Sequence, residues 1–266
     1  MSAVKSFSLA IGFALFASAS HAASCSDTGG RYEAWKPEMA AEARAEGVGE
    51  RGLAALMASG YSTATIGADR NQKSFKYTLE KFMQVRGADT IVRQGKQRKA
   101  KNAQLYAQME QRYGVPAGIL LALHGMETAF GGYMGDTNIV SAIATLTYDC
   151  RRSAFFRPHL IGALKLVDRG SLSPKSVGAK HGEWGHTQFL PGNALVYGVD
   201  GNGDGKVDLN NVTDALASTA NFLRQKGWRP GAGYQEGEPN FAVIKQWNAA
   251  TVYQKAIAIM ARRIDG

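Results

Sequence analysis

The segment HGMETAFGG (124–132) sets one carboxylate, Glu127, inside an apolar stretch that ends at a double glycine. Pro116 suits the first position of a helix, and from there Ile119, Leu123, Met126, Glu127 and Phe130 fall on one face by three- and four-residue spacing. A carboxylate on an apolar face near a helix C-terminus is disfavoured as an anion by desolvation and by the negative end of the dipole. No basic residue lies within one turn to offset either effect. The pKa of Glu127 is therefore expected to rise, which is what a general acid working near neutrality requires. A glutamate buried to meet a backbone group reads the same way from sequence.

Two further segments have the composition to surround such an acid. GEWGHTQFLPGNALVYG (182–198) combines glycines, a proline and aromatics with the amide of Gln188, as a loop that hydrogen-bonds a polyhydroxylated ligand would. TYDCRRSAFF (147–156) places Arg151 and Arg152 among three rings, able to hold anionic groups and stack on sugar faces, although rings at helical spacing also build cores.

A third segment has metal-ligand spacing. Asp200-Gly201-Asn202-Gly203-Asp204-Gly205-Lys206 follows the opening of an EF-hand calcium loop, with oxygen donors at positions one, three and five, a glycine for the turn, and the Lys206 carbonyl at seven. Position twelve is Asn211 instead of a bidentate glutamate, which loses a charge and weakens binding unless Asp208 or Asp214 supplies the missing oxygen. An Asx–glycine turn without an ion is the alternative. The ion's role would be structural, stiffening the segment between Gln188 and the helix that follows.

These residues need a scaffold, and helical patterns dominate the chain. Three- and four-residue spacing predicts helices near 39–47, 51–60 and 73–85, a long helix over much of Ala88–Tyr113, and others over 138–149, 155–170, 212–227 and 251–263. Strand signals are weak and short, so the fold class is mainly α (α+β) with at most a small sheet. With 266 residues, 45% of them hydrophobic, and no Pro-, Gly- or Ser-rich linker, the chain reads as one large domain.

The first 22 residues have the layout of a secretory signal peptide: Lys5, an apolar run from about Phe7 to Ala17, and small residues before a cut after Ala22. The run is short for a membrane span, so the mature chain is expected to lack one. A lipoprotein anchored through Cys25 is a weaker alternative, because Ala22-Ala23-Ser24-Cys25 lacks the usual leucine. Export makes Cys25 and Cys150 a candidate disulfide, two buried free thiols being the other reading. Removing Lys5 takes the formal charge from +9 to +8, which draws the chain to polyanions. For an exported protein these are cell-wall polymers and membrane surfaces, not nucleic acid. The densest basic run, RQGKQRKAK (93–101), reads as a solvated helix face.

Taken in order, HGMETAFGGYMG, ATLTYDCRRSAFF, GEWGHTQFLP, VDGNGDGKVDL with DALASTANFL and KGW, and the late WNAATVY resemble the motif set of the lytic murein transglycosylase B family. The resemblance runs from about Asp69 to the C-terminus. It implies a periplasmic, monomeric peptidoglycan enzyme with a lysozyme-like helical core (about 113–266, with the EF-hand-like loop at 200–214) and an additional N-terminal helical lobe (about 30–112). Its partners would be peptidoglycan glycan strands and cell-wall assembly proteins, and it would need no organic cofactor. Glu127 matches the family's single catalytic acid, which breaks the bond between N-acetylmuramic acid and N-acetylglucosamine without water and leaves a 1,6-anhydro end. The resemblance also implies substrate-binding roles for Met126, Arg151, Arg152, Gln188, Phe189, Asn248 and Tyr253. Trp247 stands where the family commonly has tyrosine, and Ala250 where it has serine. Asp214 is the favoured closing ligand for Ca2+, with Asp200, Asn202, Asp204 and Lys206. A hydrolase using Asp136, Asp149 or Glu183 as a second carboxylate, and a non-catalytic glycan-binding protein, are the competing readings.

Overall fold

The computed structural model describes residues 23–71 and 77–266, so the expected signal peptide, and part of the helix expected over 73–85, lie outside the described residues. Thirteen α-helices are present among them. In chain order they are α1 (Tyr32–Ala45), α2 (Glu50–Met57), α3 (Thr63–Arg70), α4 (Leu79–Val85), α5 (Ala88–Lys101), α6 (Ala103–Tyr113), α7 (Ala117–Thr128), α8 (Ile139–Tyr148), α9 (Ser153–Arg169), α10 (Pro191–Tyr197), α11 (Val212–Gln225), α12 (Phe241–Trp247) and α13 (Thr251–Asp265). The sheet is a two-residue antiparallel ribbon, β1 (Thr137–Asn138) against β2 (Val177–Gly178), with Thr137 opposite Gly178.

The long helix expected over Ala88–Tyr113 is two helices. Asn102 leaves helical geometry (φ −120°, ψ 38°), and its side-chain amide turns back to the Arg98 carbonyl at 3.3 Å. That is the local competition with the backbone that makes asparagine a poor interior helix residue. On α5, Arg93, Lys96 and Lys101 are exposed, while Lys99 is bonded to Asp265 at 2.8 Å and Arg98 lies over the Phe130 ring at 4.2 Å.

Helix α7 is the centre of the fold. Every residue from Ala117 to Met126 is buried, so the single apolar face read from the sequence is the whole circumference of the helix. A helix apolar all round belongs in the middle of a bundle. Helices α5, α6, α11 and α13 pack around it. Two glycines permit the close approach: a Cβ on Gly118 would stand 2.3 Å from the Ala261 carbonyl on α13, and one on Gly125 would meet Ile91 of α5 at 2.5 Å. The helix then stops within one residue of Thr128, because Ala129, Phe130 and Gly131 all take left-handed conformations (φ 49°, 63° and 85°). Two of these are not glycine, a strained arrangement that surrounding contacts must hold. Thr128 supplies them: its hydroxyl donates to the His186 carbonyl at 2.7 Å and accepts the Gly131 N–H at 2.9 Å. Phe130 therefore lies beyond the helix.

The N-terminal helices join the same hydrophobic core. Helix α2 packs on α9, and α9 packs in turn on α8 and α10. Tyr32, Trp35, Tyr61 and Tyr148 form a ring cluster with centroids 5.4–6.1 Å apart. Beside it Cys25 and Cys150 are disulfide-bonded, with Cα atoms 4.9 Å apart. That bond commits the sulfur which lipidation of Cys25 would need.

Two buried carboxylates tie α3 to this assembly. Asp69 takes the guanidinium groups of both Arg151 and Arg152, the latter at 2.9 Å, and Asp149 takes Arg70 at 2.6 Å. Buried charge is tolerated when paired in this way.

The disulfide spans 125 residues, and the chain-entropy model assigns a bridge of that reach about 4–5 kcal/mol before native strain is subtracted. Replacing both cysteines by serine is expected to lower the unfolding free energy by about 3–5 kcal/mol. Equal denaturant midpoints for the two proteins would contradict this.

Candidate active site

A cleft of about 450 Å³ opens above the C-terminal turn of α7, lined among others by Phe82, Arg86, Glu127, His181, Glu183, Gln188, Phe189, Asn193, Phe222, Trp247, Asn248 and Tyr253. Glu127 is half-buried at its floor. Its Oε1 accepts two hydrogen bonds, from the Tyr253 hydroxyl at 2.5 Å and from Trp247 Nε1 at 3.0 Å. Among the described residues Oε2 receives none, so one oxygen anchors the group and the other is free to meet a ligand.

Burial pushes the Glu127 carboxyl above the ordinary carboxylate range, and this outweighs the opposing pull of the Tyr253 and Trp247 hydrogen bonds and of the Arg86 charge. Glu183 adds to the upward push. The compensating cation that α7 lacks is thus brought from outside, by the residue that follows α4. The Tyr253 hydroxyl, buried and facing Glu127, is itself held well above its ordinary pKa, so it remains a donor.

The donors are set by packing. Trp247, the last residue of α12, is wedged edge-on between Phe189 and Phe222 (centroids 5.1 and 5.3 Å, interplanar angles 89° and 88°), which aims its indole N–H at Glu127. Such edge-to-face contacts contribute about 0.5–1.5 kcal/mol each beyond area burial. Tyr253 lies in the first turn of α13, the helix most closely applied to α7. Ala250 is the N-cap of α13 and makes no capping bond; the Asn248 side-chain oxygen takes the Ala250 N–H at 3.0 Å.

The opposite wall is a tight hairpin. Trp184 and Phe189 exchange both backbone hydrogen bonds (2.8 and 3.0 Å), and Gln188 sits in the left-handed region at φ 56°. The Gln188 amide donates to the carbonyls of Gly185 (2.8 Å) and Met134 (3.4 Å), while its side chain lines the cleft. The hairpin is tied at its tip by the His186 N–H to the Leu209 carbonyl at 2.9 Å.

Of the substrate-binding residues expected from the sequence, Gln188, Phe189, Trp247, Asn248 and Tyr253 share this cleft with Glu127. Met126, Arg151 and Arg152 are not among its lining residues. Met126 is buried beneath it, where its sulfur and carbonyl accept from Arg86 at 3.1 and 3.2 Å. Arg151 and Arg152 are committed to Asp69, with Arg152 also stacked on Phe155 and Phe156 at 4.9 and 4.7 Å. A paired-arginine motif gives no sign in sequence that a buried aspartate more than 80 residues upstream neutralises it.

Among the described residues no three His, Cys, Asp or Glu side chains converge on a point suited to a metal ion. Asp200 accepts the backbone N–H groups of Gly203, Asp204 and Gly205 at 2.6–3.2 Å, and Asn202 and Asp204 accept N–H groups two residues on. Asp214 is fully buried, and its two oxygens take the N–H groups of Gly201, Asn202 and Asp208 at 2.9–3.1 Å. Asn211 caps α11 through the Thr213 N–H. The donors therefore fit a self-satisfied Asx loop better than a cation cage, and Asp214 closes that loop by holding its backbone.

Arg86, Asn193 and Phe222 are cleft residues that carry no local signature. Arg86 lies between two helices and Asn193 inside α10, a helix within the segment read as loop.

The family model described as the transglycosylase SLT domain matches residues 31–237. The chain is 37% identical over 123 residues to membrane-bound lytic murein transglycosylase B of Escherichia coli K12, a stretch covering 46% of this chain and 34% of that relative. It thus spans about a third of that relative's length. SltB3 of Pseudomonas aeruginosa, solved with NAG-NAM-pentapeptide, superposes with a TM-score of 0.81 at 27% identity, covering 90% of this chain and 80% of that one. The same protein solved with NAG-anhNAM-pentapeptide gives 0.80. Slt35 of Escherichia coli, solved with calcium, shares the fold at TM-score 0.75 and 22% identity, covering 86% of this chain and 92% of that one. By the domain match over most of its length, the chain belongs to the transglycosylase SLT domain family.

Proposed function

We propose that this protein is an exported peptidoglycan lytic transglycosylase that cleaves the β-1,4 bond between N-acetylmuramic acid and N-acetylglucosamine, with Glu127 as its only acid and base. The observation that carries the reading is the state of Glu127: a desolvated carboxyl, held on one oxygen by two neutral donors and open to the cleft on the other.

The proton of Glu127 goes to the glycosidic oxygen as the bond from C1 to that oxygen breaks. Positive charge at C1 is relieved by the substrate's own 2-acetamido oxygen, a substrate-assisted course that dispenses with a second carboxylate. Glu127, now ionised, takes the proton of the muramyl C6 hydroxyl, and O6 closes on C1 to form the 1,6-anhydro ring. No water is consumed and Glu127 ends protonated. The complex of SltB3 with NAG-anhNAM-pentapeptide supports a product of this kind.

Hydrolysis through a second carboxylate is the alternative, and its candidates narrow to one. Asp136 is exposed and paired with Lys180 at 2.8 Å; Asp149 is buried against Arg70; neither is a cleft residue. Glu183 does line the cleft, beside His181 at 3.6 Å. The disulfide supports export to an oxidising compartment. No helix among the described residues is long and apolar enough to cross a membrane.

Glu127→Gln is expected to abolish clearing of purified sacculi in a zymogram while raising the melting temperature at pH 7. The sign follows from linkage. A carboxyl whose pKa is raised by folding holds its proton in the folded state after the unfolded chain has lost it, so stability falls as pH rises from the unfolded pKa to the folded one. The neutral amide escapes that loss. Clearing by the variant would remove Glu127 from catalysis.

Trp247→Phe deletes a bond that favours the ionised form, so the pKa of Glu127 rises further and the alkaline limb of kcat/KM against pH moves to higher pH. A limb that stays in place or moves down would show that the indole does not tune the acid.

Mass spectrometry of released muropeptides separates the two chemistries, because the hydrolytic product is heavier by one water. Glu183→Gln is expected to leave the anhydro product in place; a reducing-end product from wild type that Glu183→Gln abolishes would establish the hydrolase instead.

A further inference from the structure

The described residues that line the cleft include one guanidinium, Arg86. Its side chain is exposed, and no carboxylate among the described residues lies within ion-pair distance of it. It is also fixed. Nε donates to the Met126 sulfur at 3.1 Å, a terminal nitrogen donates to the Met126 carbonyl at 3.2 Å, and the guanidinium stacks over Phe82 at 5.9 Å. Those contacts engage Nε and one terminal nitrogen, while among the described residues the other terminal nitrogen of this cleft-lining side chain has no hydrogen-bond partner.

An arginine so held and without an anion is a prepared carboxylate site, since its planar fork matches that geometry and its positioning is complete before binding. The arginines whose sequence suggested this duty, Arg151 and Arg152, are occupied by Asp69. Arg86 is held through Met126, the residue next to the acid, so whatever it binds lies close to the bond being broken.

We propose that Arg86 binds a carboxylate borne by the muramyl sugar at the scissile bond and makes the enzyme selective for glycan that carries one. The inference rests on the peptidoglycan reading above. In that polymer the sugar hydroxyls and acetamido groups are neutral, and the acidic groups hang from the muramyl 3-position, as the bare lactyl acid or as free carboxylates of the peptide attached to it. Arg86 also acts on Glu127, lowering its pKa against the effect of burial. The ligand role must therefore be read where Glu127 cannot titrate.

The test uses the full chain with Glu127→Gln and measures binding by calorimetry, without turnover. Four ligands are compared: N-acetylglucosaminyl-N-acetylmuramic acid, its lactyl methyl ester, the same disaccharide with a stem peptide bearing free carboxylates, and that peptide fully amidated. With Arg86 present, at least one acidic ligand is expected to bind about tenfold or more tighter than its neutral partner, the size of a charge-assisted hydrogen-bonded pair. The pair showing the preference identifies the lactyl or the peptide source. Arg86→Gln should reduce the preference to within about twofold, and Arg86→Lys should restore part of it. A ratio between paired ligands is insensitive to general loosening of the cleft, so a merely structural role through Met126 leaves it unchanged. The proposal is overturned by equal binding of acid and neutral ligands with Arg86 present, or by a preference that survives Arg86→Gln. Binding of none of the four overturns the peptidoglycan reading as well.

Discussion

Glu127 Oε1, receiving a phenol and an indole N–H, is the point on which the architecture turns. Keeping a glutamate at that position requires donors that neutralise nothing, because a cation paired directly with the carboxylate would stabilise the anion and hold its pKa down. Tyr253 and Trp247 orient the group while leaving burial as the dominant influence. Both come from the C-terminal end of the chain, and α13 reaches α7 only because Gly118 lets the two backbones approach. The acid, the packing of the last helix and the glycine in the middle of α7 are one constraint.

The treatment of the other buried carboxylates makes the point by contrast. Asp69 and Asp149 are neutralised by arginines, and Asp214 by three backbone N–H groups. Each is a structural anion. Glu127 is the half-buried carboxylate with neutral partners and a free oxygen, and a fold that keeps it so gives up stability at neutral pH for that state. Two buried histidines follow the same logic with opposite charge: burial brings His124 down to about 3 and His159 to about 4, so both remain neutral and add no cation near α7 or α9.

The sequence made the helical class, the disulfide partners and the position of Glu127 legible, because each rests on local pattern or on a count. Periodicity located α8, α9, α11 and α13 to within a few residues. It failed at Asn102, where one side-chain hydrogen bond to a carbonyl ends a helix whose polar–apolar pattern continues. It also failed on α7, since a stretch with apolar residues on every side yields no preferred face. Charges were the least legible feature. Arg151 and Arg152 read as free cations until Asp69 on α3 is placed against them, and Arg86 reads as an ordinary surface residue until α4 is placed beside the cleft. The Asp200 loop shows the same limit: the order of its oxygen donors is visible, but not that the backbone of the loop already uses them.

Stiffness in the wall facing Tyr253 follows from how that wall is built. Gln188 is held at φ 56° by a hairpin whose ends exchange both backbone bonds, and the hairpin is pinned at its tip by His186 to the Leu209 carbonyl. Leu209 is fully buried and stands one residue after Asp208, whose N–H is taken by Asp214. The buried Asp214 carboxylate thus holds the loop, the loop holds the hairpin, and the hairpin holds Phe189 against Trp247, whose indole meets the acid. Every link in that chain is a hydrogen bond or a ring contact with a defined direction. The 200–214 segment can therefore influence Glu127 through geometry alone, without contributing a charge to the cleft.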